Sequence, residues 1–343
     1  MQLLRFLAAI KAATAIIHLA QSIRKKRWRE LTDLDTQVKV KNLDVQVKEK
    51  GCGLLIIFDI FLNSPMMSFL ERFQSCTNEK VSLLCVGLDP DRQRLPTHLQ
   101  KDPDGLFKFC AEIIDSTAGA AAAFKFNFAF FESAGAKGWS ALERLLEIIP
   151  RNVITIADAK RGDIGNSSEM YARAILESLG FDAVTVNPFM GADSVAPFLQ
   201  WPEKGAFVLC LTSNPGARDF QYFSNGMKTV YEKVLERVRE WNRRENCGLV
   251  VGATQPNELQ SIRAAAPNLP FLVPGVGTQG GDLESAVRNG TTAAGELALF
   301  NVSRGVIYKS GGADFAEAAG TEAERIRDQI NQARKEKSIR VGR

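Results

Sequence analysis

A chain of 343 residues that is 45% hydrophobic has material for a large buried core, as one barrel or as two ordinary domains. Its formal charge of +4 is concentrated at one end: residues 1–66 hold 11 Lys/Arg and 6 Asp/Glu, and the remainder 32 and 33. The main body thus lacks the basic excess of a nucleic-acid surface, and a count of two histidines, His18 and His98, nearly excludes a Ser-His-Asp triad or a His-rich metal site.

Residues 1–29 carry seven basic residues and no acid. A membrane span needs roughly 20 consecutive apolar residues. Arg5, Lys11 and the "RKKRWR" run interrupt the first apolar stretch, and Asp59 breaks "LLIIFDIFL" (54–62), so no stable span is expected. An amphipathic targeting segment is one reading of this region. The favoured expectation is that residues 1–65 form an extension of unknown role outside the catalytic fold, or an upstream in-frame translation. Met66 and Met67 would then make a natural start, and residues 66–343 the folded domain.

From residue 67 a rhythm begins. Strand-like runs are "VSLLCVGLD" (81–89), "AAFKFNF" (122–128), "NVITIAD" (152–158), "AVTVNP" (183–188), "AFVLCLT" (206–212), "CGLVVGA" (247–253), "PFLVPG" (270–275) and "ELALFNVS" (296–303). Helical three-to-four spacing fills most of the gaps, as in "GLFKFCAEIIDST" and "MKTVYEKVLERVREWNRR". Eight strands alternating with helices predict an α/β fold, a single (β/α)8 TIM barrel. An open doubly wound sheet is the alternative, weakened because no G-x-G-x-x-G follows the first strand.

Six cysteines (52, 76, 85, 110, 210 and 247) are scattered, with no C-x-x-C. They read as buried thiols of a reducing compartment, so a cytoplasmic location is expected.

The barrel reading makes the carboxyl ends of the strands the place to look for chemistry. Polar residues gather there: Asp89; Lys125 and Asn127; Asp158 with Lys160; Asn187; Thr212 with Ser213; the Gly275–Gly281 loop; and Asn301 with Arg304. The glycines of "PGVGTQGG" let backbone N–H groups approach an anion. Arg304 follows the eighth strand, and the loops after strands 7 and 8 hold phosphate in this fold. A small phosphorylated ligand is predicted.

"DAKRGDIGNS" (158–167) is denser in charge than a buried strand end tolerates without a reason. Asp158 and Lys160 lie two apart and share a face on a continuing strand. Lys125, Asp158, Lys160 and Asp163 alternate in sign, which keeps each group charged. Lysines held this way are poor Schiff-base nucleophiles and good proton donors. Such an array suits a reaction in which negative charge develops at carbon. A substrate carboxylate pressed to about 4 Å from Asp158 would meet a repulsion of roughly 4 kcal/mol at an effective dielectric near 20.

These residues resemble the D-x-K-x-x-D-I signature of orotidine 5'-phosphate decarboxylase. "GLDPD", "FKFNFAFFE", "VNPFMGADS", "TSNPGA", "PGVGTQGGD" and "NVSRG" follow in the same order, and the spelling is similar to the second bacterial subfamily. The match spans about residues 67–335. No orotate phosphoribosyltransferase segment is recognisable.

The resemblance implies conversion of orotidine 5'-phosphate to UMP and CO2, the last step of de novo pyrimidine synthesis, without metal or organic cofactor. It implies that Lys160 protonates C6 and that Asp158 faces the substrate carboxylate. Asp89 and Lys125 would hold ribose hydroxyls. Asp163, with Ile164 and Ser167, would reach the partner's site in a homodimer. Ser213 would read the pyrimidine edge. Gln279, Gly280 and Arg304 would bind phosphate, with Asn127, Asn187 and Pro274 also lining the substrate site. Part of the long loop "TSNPGARDFQYFSNG" (212–226), which contains Gly and Pro, is nominated as a lid. Alternatives are a metal-dependent phosphosugar synthase, a Schiff-base aldolase on Lys125 or Lys160, and a silent nucleotide-binding barrel.

Overall fold

The structure, a computed structural model, describes residues 67–277 and 280–341. The extension 1–65 and Gln279 therefore lie outside the described residues. The eight expected strands form: β1 Leu84–Leu88, β2 Ala123–Asn127, β3 Ile154–Arg161, β4 Ala183–Val186, β5 Gly205–Leu211, β6 Cys247–Val251, β7 Phe271–Val273 and β8 Ala298–Val302. They pair in sequence order as a closed barrel, every pairing parallel, with β1 closing on β8.

The main helices are α1 Phe69–Glu79, α2 Gly105–Thr117, α3 Phe128–Ser133, α4 Gly135–Ile148, α5 Gly165–Ala172, α6 Val230–Trp241, α7 Pro256–Ala265, α8 Leu283–Gly290, α9 Arg304–Ile307 and α10 Phe315–Val341. Their apolar faces pack on the outside of the barrel, where Phe109, Phe124, Phe126, Phe131 and Phe181 are fully buried. Each such ring contributes about 1.5–3 kcal/mol by leaving water. Among the described residues no helix is long and apolar enough to cross a membrane.

The amino-terminal end of the barrel is plugged by α1. A capping box starts this helix, with Ser68 Oγ accepting the Glu71 N–H and the Glu71 carboxylate accepting the Ser68 N–H. Phe69 and Phe73 enter the interior cluster formed by Cys85, Ala123, Ile154, Ile156, Ala183, Phe207, Leu272 and Leu299. Phe69 meets Phe207 edge-on at 5.9 Å. It lies so close to the backbone at Gly205 that a Cβ there would sit 2.4 Å from its ring. Arg72 fastens α1 by donating to both oxygens of Asp182, at 3.0 and 3.1 Å.

This end is apolar and sealed. The other end differs: β3 is buried for four residues and then opens through Asp158, Ala159, Lys160 and Arg161. The helix after Lys160 differs from an ideal one, since its continuation Arg173–Ser178 is a π-helical turn. The five described cysteines are buried and unpaired.

Candidate active site

Parallel register brings the site together. Gly87 lies beside Lys125, and Asn127 beside Asp158, so the ends of β1, β2 and β3 stand side by side. Lys125 is 4% exposed. Its Nζ donates to Asp158 Oδ2 at 2.7 Å and lies 3.8 Å from Asp89 Oδ1. Burial alone would drive the Lys125 ammonium to lose its proton; the charges of Asp158 and Asp89 outweigh that and hold its pKa above the usual lysine range. Burial alone would likewise raise the Asp158 carboxyl, but Lys125 and Lys160 keep it far below the usual carboxylate range.

Lys160 takes the other oxygen, with Nζ 2.5 Å from Asp158 Oδ1. The two do not meet through plain strand alternation. β3 pairs Ala157 with Val184 and next Arg161 with Val186, so β3 carries extra residues in a bulge. Lys160 sits in it with φ +46°, the left-handed region. Its N–H donates to Thr185 Oγ1 at 2.9 Å, and the Thr185 hydroxyl donates to Asp158 Oδ1 at 3.1 Å. The Lys160 side chain remains half exposed toward the mouth.

Arg161 turns the other way. Its guanidinium pairs with Glu132 of α3 and lies over the Tyr171 ring at 5.2 Å. Asp163 joins none of the ion pairs formed among the described residues; its Oδ1 accepts the Ile164 N–H at 2.8 Å. Ile164 and Ser167 are exposed here, as are Met170, Tyr171, Phe189 and Met190. Asn187 spends its Oδ1 on the Phe189 N–H, so it shapes the turn after β4.

Asp89 Oδ1 is buried and accepts no hydrogen bond from the described residues. A buried acceptor without a donor is costly to leave so, and it faces the same cluster as Lys125. The loop carrying it is latched by Tyr308, whose hydroxyl donates to the Asp89 carbonyl at 2.9 Å and accepts the Asp91 N–H at 2.6 Å. Burial pushes the Tyr308 phenol up to about 12. Neither Thr185 nor Tyr308 was singled out from sequence. Tyr308 lies four residues past Arg304, one helical turn, which was its only local signal.

At the same end of the barrel, the loop after β7 turns through Gly275, Gly277 and Gly280 at positive φ. In this conformation the Gly280 N–H donates to Gly277 O at 2.8 Å and the Gly281 N–H to Gly275 O at 3.1 Å. Those amides hold the loop's own shape. Arg304, at the start of α9, is exposed and, among the described residues, forms no ion pair, and the neighbouring Ser303 Oγ is buried without a hydrogen-bond partner. Pro274 and Ser213 lie close by. The Ala253 N–H donates to Pro274 O, and Gly252 lets the chain at Ser213 pass so near that a Cβ would sit 2.8 Å from the Ser213 nitrogen. The segment 212–226 contains a short helix, Ala217–Phe220, and is tied by Gln221, which accepts the Thr212 N–H at 2.8 Å. His98 stands apart, against Phe315.

Residues 82–319, from just before β1 into α10, match the model of the orotidine 5'-phosphate decarboxylase / HUMPS family. The orotidine 5'-phosphate decarboxylase of Dehalococcoides mccartyi strain CBDB1 is 50% identical over 273 residues, which cover 78% of this chain and 99% of that protein. The chain belongs to the orotidine 5'-phosphate decarboxylase / HUMPS family.

Solved structures agree with the orotidine 5'-phosphate decarboxylase side of the family. The Leishmania donovani OMP decarboxylase is 40% identical with a TM-score of 0.68, covering 78% of this chain and 99% of its own. The UMP synthase of that organism is 42% identical with a TM-score of 0.69; this chain spans 57% of it. Lys125, Asp158, Lys160, Asp89 and Arg304 all lie within the family-matched segment.

Proposed function

We propose that the charged row at the barrel mouth performs the reaction of this chain, which decarboxylates orotidine 5'-phosphate to UMP and CO2, and that Lys160 delivers the proton to C6. One observation carries this assignment. A single buried carboxylate, Asp158, is gripped by two ammoniums at 2.5 and 2.7 Å, one sealed in the core and one open to the mouth.

Lys125 is locked in place, whereas Lys160 has both a proton and access. With the substrate carboxylate set against Asp158, the bond from C6 to that carboxyl breaks. CO2 departs and leaves the electron pair on C6. A proton from Lys160 forms the new C–H bond, and solvent reprotonates the amine. Charges fixed before the reaction stabilise the developing carbanion without reorganising.

The remaining roles are assigned from position. The orphan Asp89 Oδ1, beside Lys125, suits a ribose hydroxyl donor. Arg304 and the loop of Pro274, Gln279 and Gly280 suit the phosphate. Gly280 can donate its amide only if the loop gives up its bond to Gly277, so phosphate binding would reshape this turn. Ser213 reads the pyrimidine, with Asn127 and Asn187 lining the mouth. Asp163, Ile164 and Ser167, left outside the cluster of their own chain on an apolar surface, serve the partner's site in a homodimer. No metal or cofactor has a role in these steps, and the expected location is the cytoplasm.

The test is the fall in ultraviolet absorbance when orotidine 5'-phosphate is added to EDTA-treated protein. Lys160→Ala is expected to lose turnover by about 10²–10⁴-fold, the usual worth of a placed proton donor, while still binding UMP. Normal turnover by that variant would remove the assignment. Activity that survives EDTA eliminates the metal-dependent synthase.

A further inference from the structure

We infer that Thr185 is a positioning residue for the decarboxylation, holding the Lys160 ammonium and the Asp158 carboxylate at one fixed spacing. The inference rests on Lys160 as proton donor.

The bulge in β3 creates the need. Between the pairs Ala157–Val184 and Arg161–Val186, β3 has more residues than β4, so the strand ladder cannot serve every N–H. Lys160 takes up the excess in the left-handed region, which costs an L-residue roughly 1–2 kcal/mol. Its N–H points to β4 and is accepted there by Thr185 Oγ1. A hydroxyl has one proton to give, and Thr185 gives it to Asp158 Oδ1, the oxygen that also receives the Lys160 ammonium.

The result is a closed loop of hydrogen bonds. Lys160 is tied to one carboxylate oxygen twice, directly through its side chain and indirectly through its backbone. Thr185 is 1% exposed, so no water can readily take over either bond. Its β-branched side chain has few rotamers to choose from. The proton donor thus inherits its position from a residue that need not touch the substrate.

A merely structural role would be to stabilise the bulge. Full-length wild type, Thr185→Val, Thr185→Ser and Lys160→Ala distinguish the two through kcat, KM, UMP affinity by calorimetry and thermal melting. Valine fills the same space without the hydroxyl. It is expected to lower kcat by about 10- to 100-fold, since misplacing a reacting group by ~1 Å costs on the order of 10²-fold, with KM and UMP affinity within about threefold. Thr185→Ser, which keeps the hydroxyl, is expected to recover most of that loss.

A folded Thr185→Val with kcat within about threefold of wild type overturns the inference, as does a serine variant that recovers nothing. If the valine variant does not fold, Thr185→Cys, a weak donor of similar size, takes its place under the same criterion. If Lys160→Ala keeps wild-type turnover, the proton-donor assignment falls and this inference with it. If Lys160→Ala is inactive and Thr185→Val is normal, only the role of Thr185 falls.

Discussion

Lys125 Nζ rests 2.7 Å from Asp158 Oδ2, deep enough that neither charge has ready access to water. A buried pair of this kind is costly to break, because removing one partner strands the other.

Asp158→Asn keeps the shape and removes the charge. Among the described residues, Lys125 then has only Asp89, at 3.8 Å. The expected loss is about 3–5 kcal/mol in urea unfolding, together with loss of turnover. The pH dependence follows from the two shifts. Asp158 titrates below its unfolded value of about 3.9, so its contribution is complete above that pH and is lost as pH falls toward the folded value. Lys125 titrates above its unfolded value of about 10.4, so its contribution is complete below that pH and is lost only in stronger base. The stability difference between wild type and Asp158→Asn should therefore be flat from about pH 5 to 9 and shrink below about pH 4. A difference under about 1 kcal/mol at neutral pH would show the pair to be solvated.

Arg304→Ala tests the phosphate grip. The guanidinium is exposed and unpaired among the described residues, so its removal should leave stability unchanged. A charge-assisted hydrogen bond is worth about 1.5–3 kcal/mol, so UMP affinity should fall about 10- to 150-fold, with little change for uridine, which has no phosphate. Equal losses for UMP and uridine would place Arg304 away from the phosphate.

The proposed sharing of Asp163 between subunits has its own test. Lys160→Ala and Asp163→Ala chains, each inactive alone, are unfolded, mixed in equal amounts and refolded. In a mixed two-fold dimer one of the two sites has both residues intact, so about a quarter of wild-type activity should return. No recovery in a mixture shown to form dimers would place Asp163 in its own subunit's site.

Arg263 offers a contrast at the sealed end. This buried guanidinium pairs with no carboxylate among the described residues; it donates to the carbonyls of Gly290, Ala266, Leu269 and Leu297 and stacks 3.4 Å over Phe271. Burial lowers its pKa to about 9. Arg263→Met should cost about 3–5 kcal/mol through unpaired carbonyls, yet leave kcat at 25 °C unchanged, because the residue lies at the opposite end from the mouth. A matching fall in kcat in folded protein would mean the two ends are coupled.

The sequence by itself determined the eight strands, because alternating apolar runs and helical spacing are local patterns, and each expected run holds one strand of the barrel. It also pointed to Lys125, Asp158, Lys160 and Asp89 at one mouth, since each stands at or just past the carboxyl end of its strand and parallel strands end together. Tertiary structure alone decided the rest. Thr185 acts on Lys160 from 25 residues away, and Tyr308 on the Asp89 loop from 219, distances over which spacing carries no signal. Arg161, within the same charged stretch, turned to Glu132 because a bulge changed the direction of the chain, and the amides of the glycine loop closed on one another. Side-chain direction at a bulge and hydrogen-bond competition in a turn depend on what the neighbouring strand presents, and that exists only once the barrel has closed.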